Sequence, residues 1–151
     1  MSKRYNWAVG RKAETLVYDM MKELGFIVVR FGYEYLLPKF ANKKNPLKGP
    51  AGELIRSQPD FVIVDPKDNH TYFIEVKYRK YGEISNKSIK DYPENYIVLV
   101  SPNGLLIADW EYMIKNKNKS CFKLLTDIGP FKYKNKSIIM KYVEKAKQSF
   151  Y

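Results

Sequence analysis

The sequence predicts an α/β fold, a mixed β-sheet flanked by helices. Three observations lead there. An amphipathic helix comes first, at about residues 11–24, and short runs of apolar, β-branched and aromatic residues follow it. Two of those runs, at 60–64 and 72–78, are separated by a polar turn and read as a hairpin. A second amphipathic helix comes near the end, at about 137–150. Helix, strand, hairpin, connection, strand, strand and helix make an order that is buried best by layering helices on a sheet.

The first helix is set by Ala13, Leu16, Val17, Met20, Met21 and Leu24, which recur at the spacing of one buried face. Gly25 stands where a helix ends in the left-handed conformation. Residues 26–31 (Phe-Ile-Val-Val-Arg-Phe) read as a strand. Pro38, Pro46, Gly49, Pro50 and Gly52 punctuate residues 32–58, and Lys39, Lys43, Lys44 and Lys48 make them basic, so a long loop or a small excursion is expected there, with a helical turn near 52–56. Residues 79–95 form a polar connection with room for a short helix, and 96–100 is the fourth strand. Pro102, Asn103 and Gly104 turn the chain into a fifth strand at 105–110, with a helical turn expected at 111–115. In the last helix Ile138, Ile139, Tyr142, Val143 and Ala146 line one face, with Lys141, Lys145 and Lys147 off it.

The chain has 151 residues, 45% hydrophobic and 28% charged, an ordinary globular balance within the usual range for one domain. One domain over 1–151 is expected, with a basic insertion at about 32–58 and a lysine-rich extension at about 111–151. The single cysteine, Cys121, excludes an internal disulfide and, with the single histidine, His70, excludes a Cys/His zinc cluster. No apolar run approaches the ~18 residues of a membrane span, and the basic first residues carry no apolar stretch behind them. No membrane partner and a cytoplasmic location are therefore expected. With 27 Lys and Arg against 16 Asp and Glu, the net charge is +11. Such a balance points to a polyanionic partner, nucleic acid before a membrane surface. Residues 115–147, with ten lysines against Asp127 and Glu144, carry most of it. They are expected to form a second phosphate-contacting surface or a basic tail, and Phe122, Phe131, Tyr133 and Tyr142 argue for a folded segment.

The chemistry is concentrated in Pro59-Asp60 and Glu75-Val76-Lys77. Side chains alternate along a strand, so Glu75 and Lys77 share a face with Phe73, while Ile74 and Val76 share the other with Tyr72. A carboxylate and an ammonium on the buried face of an apolar strand need a task, because burying charge costs several kcal/mol unless it is paired or metal-bound. If Asp60 opens the neighbouring strand, the hairpin brings its carboxylate towards Glu75. Two carboxylates and a backbone carbonyl suit a hard cation such as Mg²⁺ or Mn²⁺. Lys77 would supply positive charge where a nucleophilic water and a developing phosphorane meet.

These residues resemble the signature of the PD-(D/E)xK nuclease superfamily, the restriction-endonuclease-like fold. The order of elements also resembles that family's αβββαβ core. Residues 11–14 (Arg-Lys-Ala-Glu) and 25–30 (Gly-Phe-Ile-Val-Val-Arg) are further similar to the start of archaeal Holliday-junction resolvases. The likeness covers about residues 10–110, except for 32–58, where resolvases have a shorter connection. It implies a metal-dependent endonuclease acting on branched or duplex DNA and leaving a 5′-phosphate and a 3′-hydroxyl. Asp60, Glu75 and the Val76 carbonyl would hold Mg²⁺, with Mn²⁺ able to substitute, Glu14 on the first helix would orient a water or a second ion, and Lys77 would position or deprotonate the water. Glu34 and Glu53 are further candidate ligands. Arg79, Lys80, Lys87 and Lys90, with Lys43 and Lys44 in the insertion, are candidate DNA contacts. Cutting both strands needs two sites, so a homodimer is expected, and a monomeric nickase fits the sequence equally well. The alternatives are a sequence-specific restriction or homing endonuclease and an inactive nucleic-acid-binding module.

Overall fold

Helix α1, Lys3–Glu23, leads the fold and starts two turns before the expected position. The apolar stripe that marks its buried face begins only at Ala13, but nothing before it breaks a helix except Gly10, which costs about 1 kcal/mol. The computed structural model describes residues 3–40, 46–80, 92–116 and 121–150. Gly25 ends the helix with φ of 95°, as the sequence predicts. Strand β1 is Ile27–Arg30, β2 is Phe61–Val64, β3 is Thr71–Tyr78, β4 is Asn95–Ser101 and β5 is Gly104–Asp109. They form one sheet in the order β1-β2-β3-β4-β5, antiparallel except for β3 and β4, which run parallel. This is the α/β class with a mixed sheet flanked by helices. The expected helix within 79–95 falls mainly on residues outside the described ones.

The described residues of 32–58 follow the small excursion with its helical turn near 52–56 more than the long loop. They contain helix α2, Tyr33–Leu36, a 3₁₀ turn, Pro38–Phe40, and helix α3, Gly49–Arg56. Pro50 misleads in the sequence because proline also starts helices, where its fixed φ fits the first turn and its missing N–H is not needed. Gly52 is buried where a Cβ would stand 2.8 Å from the Leu47 carbonyl carbon, so glycine there serves close packing and not a loop.

The sheet faces divide the core by strand alternation. Phe61, Ile63, Ile74, Val76, Val98, Val100, Leu105 and Ile107 lie with Ala13, Val17, Met20 and Met21 of α1. Helix α5, Lys136–Ser149, packs into the same cluster through Ile139, Tyr142 and Ala146. Asn135 caps α5 by accepting the N–H groups of Ser137 and Ile138. The opposite face holds Ile97 and Ala108 with Trp110 and Met113 of α4, Trp110–Asn116, and with Cys121. Residues 121–150 are therefore no basic tail. Lys123 pairs with Ile107 through both backbone bonds, Phe131 is fully buried against Phe26, and Lys134 and Lys141 are tied to Asp65 and Glu23. Of the aromatics there, Tyr133 alone is almost fully exposed.

Candidate active site

The site forms where the hairpin partners separate. β2 and β3 pair from Val64↔Thr71 to Phe61↔Ile74, and β2 goes no further. Beyond Ile74, β3 keeps only β4 as a neighbour, with Glu75 opposite Ile97 and Lys77 opposite Leu99. The free edge of β3 would leave the Val76 N–H unpaired. Asp60, the residue just before β2, fills that place: its Oδ2 accepts the Val76 N–H at 2.8 Å. The N–H and C=O of one strand residue point to the same side. The Val76 carbonyl therefore faces the Asp60 side of the strand, as a metal-ligating carbonyl would need.

Glu75 and Lys77 lie on one face, as alternation requires, and meet as an ion pair of 2.9 Å whose side chains are 13% and 22% exposed. Through the Val76 N–H, Asp60 is bound to β3 at the residue next to Glu75. α1 supplies the opposite wall with Glu14. Together with Asp60, Glu75, Val76 and Lys77, Glu14 lines one polar pocket of about 240 Å³. Five sequence-predicted site residues, spread over more than sixty positions of chain, thereby converge.

The pocket has more walls than the sequence reading assigned. Glu34 and Tyr33 come from α2, and Arg56, Ser57 and Gln58 from the end of α3 and the turn that follows it. Glu34 had been a candidate ligand; Glu53, on α3, is not among the lining residues. The only signal for Arg56, Ser57 and Gln58 was their position immediately before Pro59-Asp60. Gly32 lets Glu34 in: a Cβ there would stand 2.9 Å from Glu34 Oε2 and 3.9 Å from Asp60 Oδ1.

Three carboxyls in this space all titrate above their ordinary range. Burial pushes Asp60 well up, and the Glu75 and Glu14 charges push it further, against the Val76 N–H and Lys77. Burial also raises Glu75, against Lys77 and the Asp60 N–H. Glu14 is raised first by burial and then by Glu34 and Glu75, while Arg11 and Arg30 oppose the shift. Like charges are being held together in a confined site, the arrangement typical of cation binding or proton transfer.

Among the described residues no group of three Asp, Glu, His or Cys side chains is arranged to hold a metal ion. Glu14 therefore does not complete a ready-made three-carboxylate centre, and the expected ligand set contracts to Asp60, Glu75 and the Val76 carbonyl. That donor set still fits Mg²⁺, which usually keeps several waters and takes only one or two carboxylates from the protein. The Oε1 of Gln58, on the pocket wall, is buried without a hydrogen-bond partner and adds an unsatisfied oxygen to the same region.

Of the expected DNA contacts, the two among the described residues, Arg79 and Lys80, are not brought into the pocket. Arg79 gives its backbone N–H to Val100 and its guanidinium to the Tyr78 carbonyl, and Lys80 is exposed beyond the end of β3. Lys43, Lys44, Lys87 and Lys90 lie outside the described residues. Comparison of the chain with protein-family models, with curated proteins and with solved structures gave no match. No helix among the described residues is long and apolar enough to cross a membrane.

Proposed function

We propose that this protein is a Mg²⁺-dependent endonuclease of the PD-(D/E)xK type that hydrolyses phosphodiester bonds in DNA. The observation that carries this reading is the convergence of Glu14, Asp60, Glu75, Val76 and Lys77 on one small polar pocket. The net charge of +11 supports a polyanionic substrate.

In this reading Asp60, Glu75 and the Val76 carbonyl hold the cation. When bound, Mg²⁺ supplies a Lewis acid that neutralises phosphate charge and makes water more acidic. Lys77 contributes an ammonium at the same wall. Held by Glu75 at 2.9 Å, it offers hydrogen bonds to an attacking water and to a phosphate oxygen as negative charge builds there. Glu14, its carboxyl raised by burial, accepts a proton more readily than an ordinary glutamate and orients water from the α1 side. A chain with one such pocket cuts two strands by acting as a homodimer.

The experiment is cleavage of duplex, single-stranded and branched DNA, and of RNA, with Mg²⁺ and with Mn²⁺. Asp60→Asn and Lys77→Ala should abolish cleavage while leaving salt-sensitive binding intact. A wild-type protein inert on all four substrates would defeat the reading. If it still bound DNA, the chain would be a binding module instead.

A further inference from the structure

Next to the pocket, two guanidinium groups converge on one neutral oxygen. Arg30 donates to the Tyr35 hydroxyl at 2.7 Å, and Arg11 donates to the same hydroxyl. Among the described residues neither arginine forms an ion pair with a carboxylate, although both lie close enough to Glu14 to act on its charge. Aromatic rings brace them instead. Arg30 lies over Tyr18 and Tyr35, at 4.6 and 4.8 Å from the ring centroids. Arg11 lies 5.1 Å from the centroids of both Trp7 and Tyr35. Two positive charges share one phenol oxygen and keep most of their ten N–H donors unspent. A phosphodiester is the group whose charge and paired oxygens match that arrangement.

Trp7, Arg11 and Glu14 are spaced i, i+4, i+7, so they lie along one face of α1. The stripe runs from the pocket wall at Glu14 to Trp7, a distance of about 10 Å along the helix. Trp7 is 67% exposed. A large aromatic left open on a basic ridge suits stacking by a nucleobase, and a base offers its face only when it is unpaired and unstacked.

We propose that Trp7, Arg11, Tyr35 and Arg30 form a ledge that takes a single-stranded segment of DNA beside the bond to be cut, the two arginines gripping a backbone phosphate and Trp7 stacking on an unpaired base. The ledge rests on the nuclease reading of the neighbouring pocket, and it sets the substrate class: DNA carrying unpaired nucleotides next to the cleaved bond, as in a flap, a gap or an open branch.

The chain's two tryptophans make this testable without cleavage. Trp110 is only 2% exposed, so a quencher in solution reports on Trp7. A thymidine oligonucleotide, titrated in EDTA, should quench the exposed tryptophan, and a blunt duplex of equal length should quench it far less. By anisotropy of a labelled oligonucleotide, Trp7→Ala and Arg11→Gln should each weaken single-strand binding about tenfold or more. Trp7→Phe, which keeps a stacking face, should stay within about threefold of wild type. Equal quenching by single strand and duplex, or unchanged affinity in a folded Trp7→Ala protein, would overturn the ledge. The two readings fail separately. Cleavage that persists with a silent Trp7 removes the ledge and leaves the nuclease, whereas quenching with no cleavage by wild type removes the nuclease and leaves a single-strand binding site.

Discussion

The carboxylate of Asp60 accepts the backbone N–H of Val76 at 2.8 Å, one residue on from Glu75, whose own carboxylate pairs with Lys77 at 2.9 Å. These two contacts hold the two carboxyls at the point where β2 leaves β3. Burial raises both carboxyls, and the Glu75 charge raises Asp60 further, so the two stand together at an electrostatic cost. The site is therefore organised at the expense of the fold, and this has measurable consequences.

Asp60→Asn should stabilise the metal-free protein at neutral pH. A carboxyl whose pKa is raised on folding costs stability as the pH climbs from its unfolded value, near 3.9, through its folded value. Asparagine keeps an acceptor for the Val76 N–H and carries no charge. In EDTA at pH 7 the variant should melt roughly 2–6 °C above wild type, and the gap should close towards pH 4. A variant that melts lower at pH 7 would show that the Asp60 charge is favourable in the free protein.

Divalent cations should reverse that order. In the proposed reading Mg²⁺ would bind only the folded arrangement, so its titration should raise the melting temperature of wild type by mass action. The Asp60→Asn/Glu75→Gln double variant should show no rise. Equal shifts in both proteins would place any bound cation elsewhere.

Lys77→Met should lower both cleavage and stability. Without the ammonium, Glu75 remains in its largely buried position with its closest counter-charge gone. With the residual exposure of the pair taken into account, the loss should be about 1–3 kcal/mol by denaturant melting. Adding Glu75→Gln should recover part of the stability and none of the cleavage. Recovery of cleavage would mean that Lys77 serves only to neutralise Glu75.

Phe131→Ala should cost about 3–5 kcal/mol. Phe131 is fully buried and meets Phe26 edge to face, with ring centroids 5.7 Å apart. The lysine-rich C-terminal segment is thus part of the core. Native-like urea unfolding of this variant would contradict that placement.

The contact between α1 and α5 should weaken at both pH extremes. Hydrogen bonds from Lys141 and Tyr142 hold the Glu23 carboxyl below its usual range, so its contribution is present above the unfolded pKa and is lost as acid protonates it in the folded state. Burial and Glu23 push the Tyr142 hydroxyl up to about 12, so stability from that side fades as the pH rises from about 10 towards that value. The melting difference between wild type and Glu23→Gln should be largest near neutrality and close at low pH. A constant difference would rule out this titration.

The long-loop reading of residues 32–58 gives way to helices α2 and α3 for a local reason. Proline and glycine mark helix starts and close packing as often as turns, and only the surroundings of Pro50 and Gly52 distinguish these uses. The start of α1 was missed because the apolar stripe records burial, not helicity: residues 3–10 are helical, with Trp7 largely exposed. Arg79 stands two residues after Lys77 in the sequence, yet its guanidinium is turned back onto the Tyr78 carbonyl.

By itself the sequence determined the five strands, the hairpin, both long helices and the shared face of Glu75 and Lys77. Each of these is written in residues two to four positions apart, where strand and helix periods act directly. Only the tertiary structure decided that Glu14 stands across from Asp60, that Glu34 and Gln58 complete the pocket, and that Arg11 and Arg30 meet at Tyr35. Those meetings depend on how α1 crosses the sheet and where α2 and α3 fold back over its end. Contacts between distant parts of the chain are set by packing in three dimensions, which leaves no period in the sequence to read.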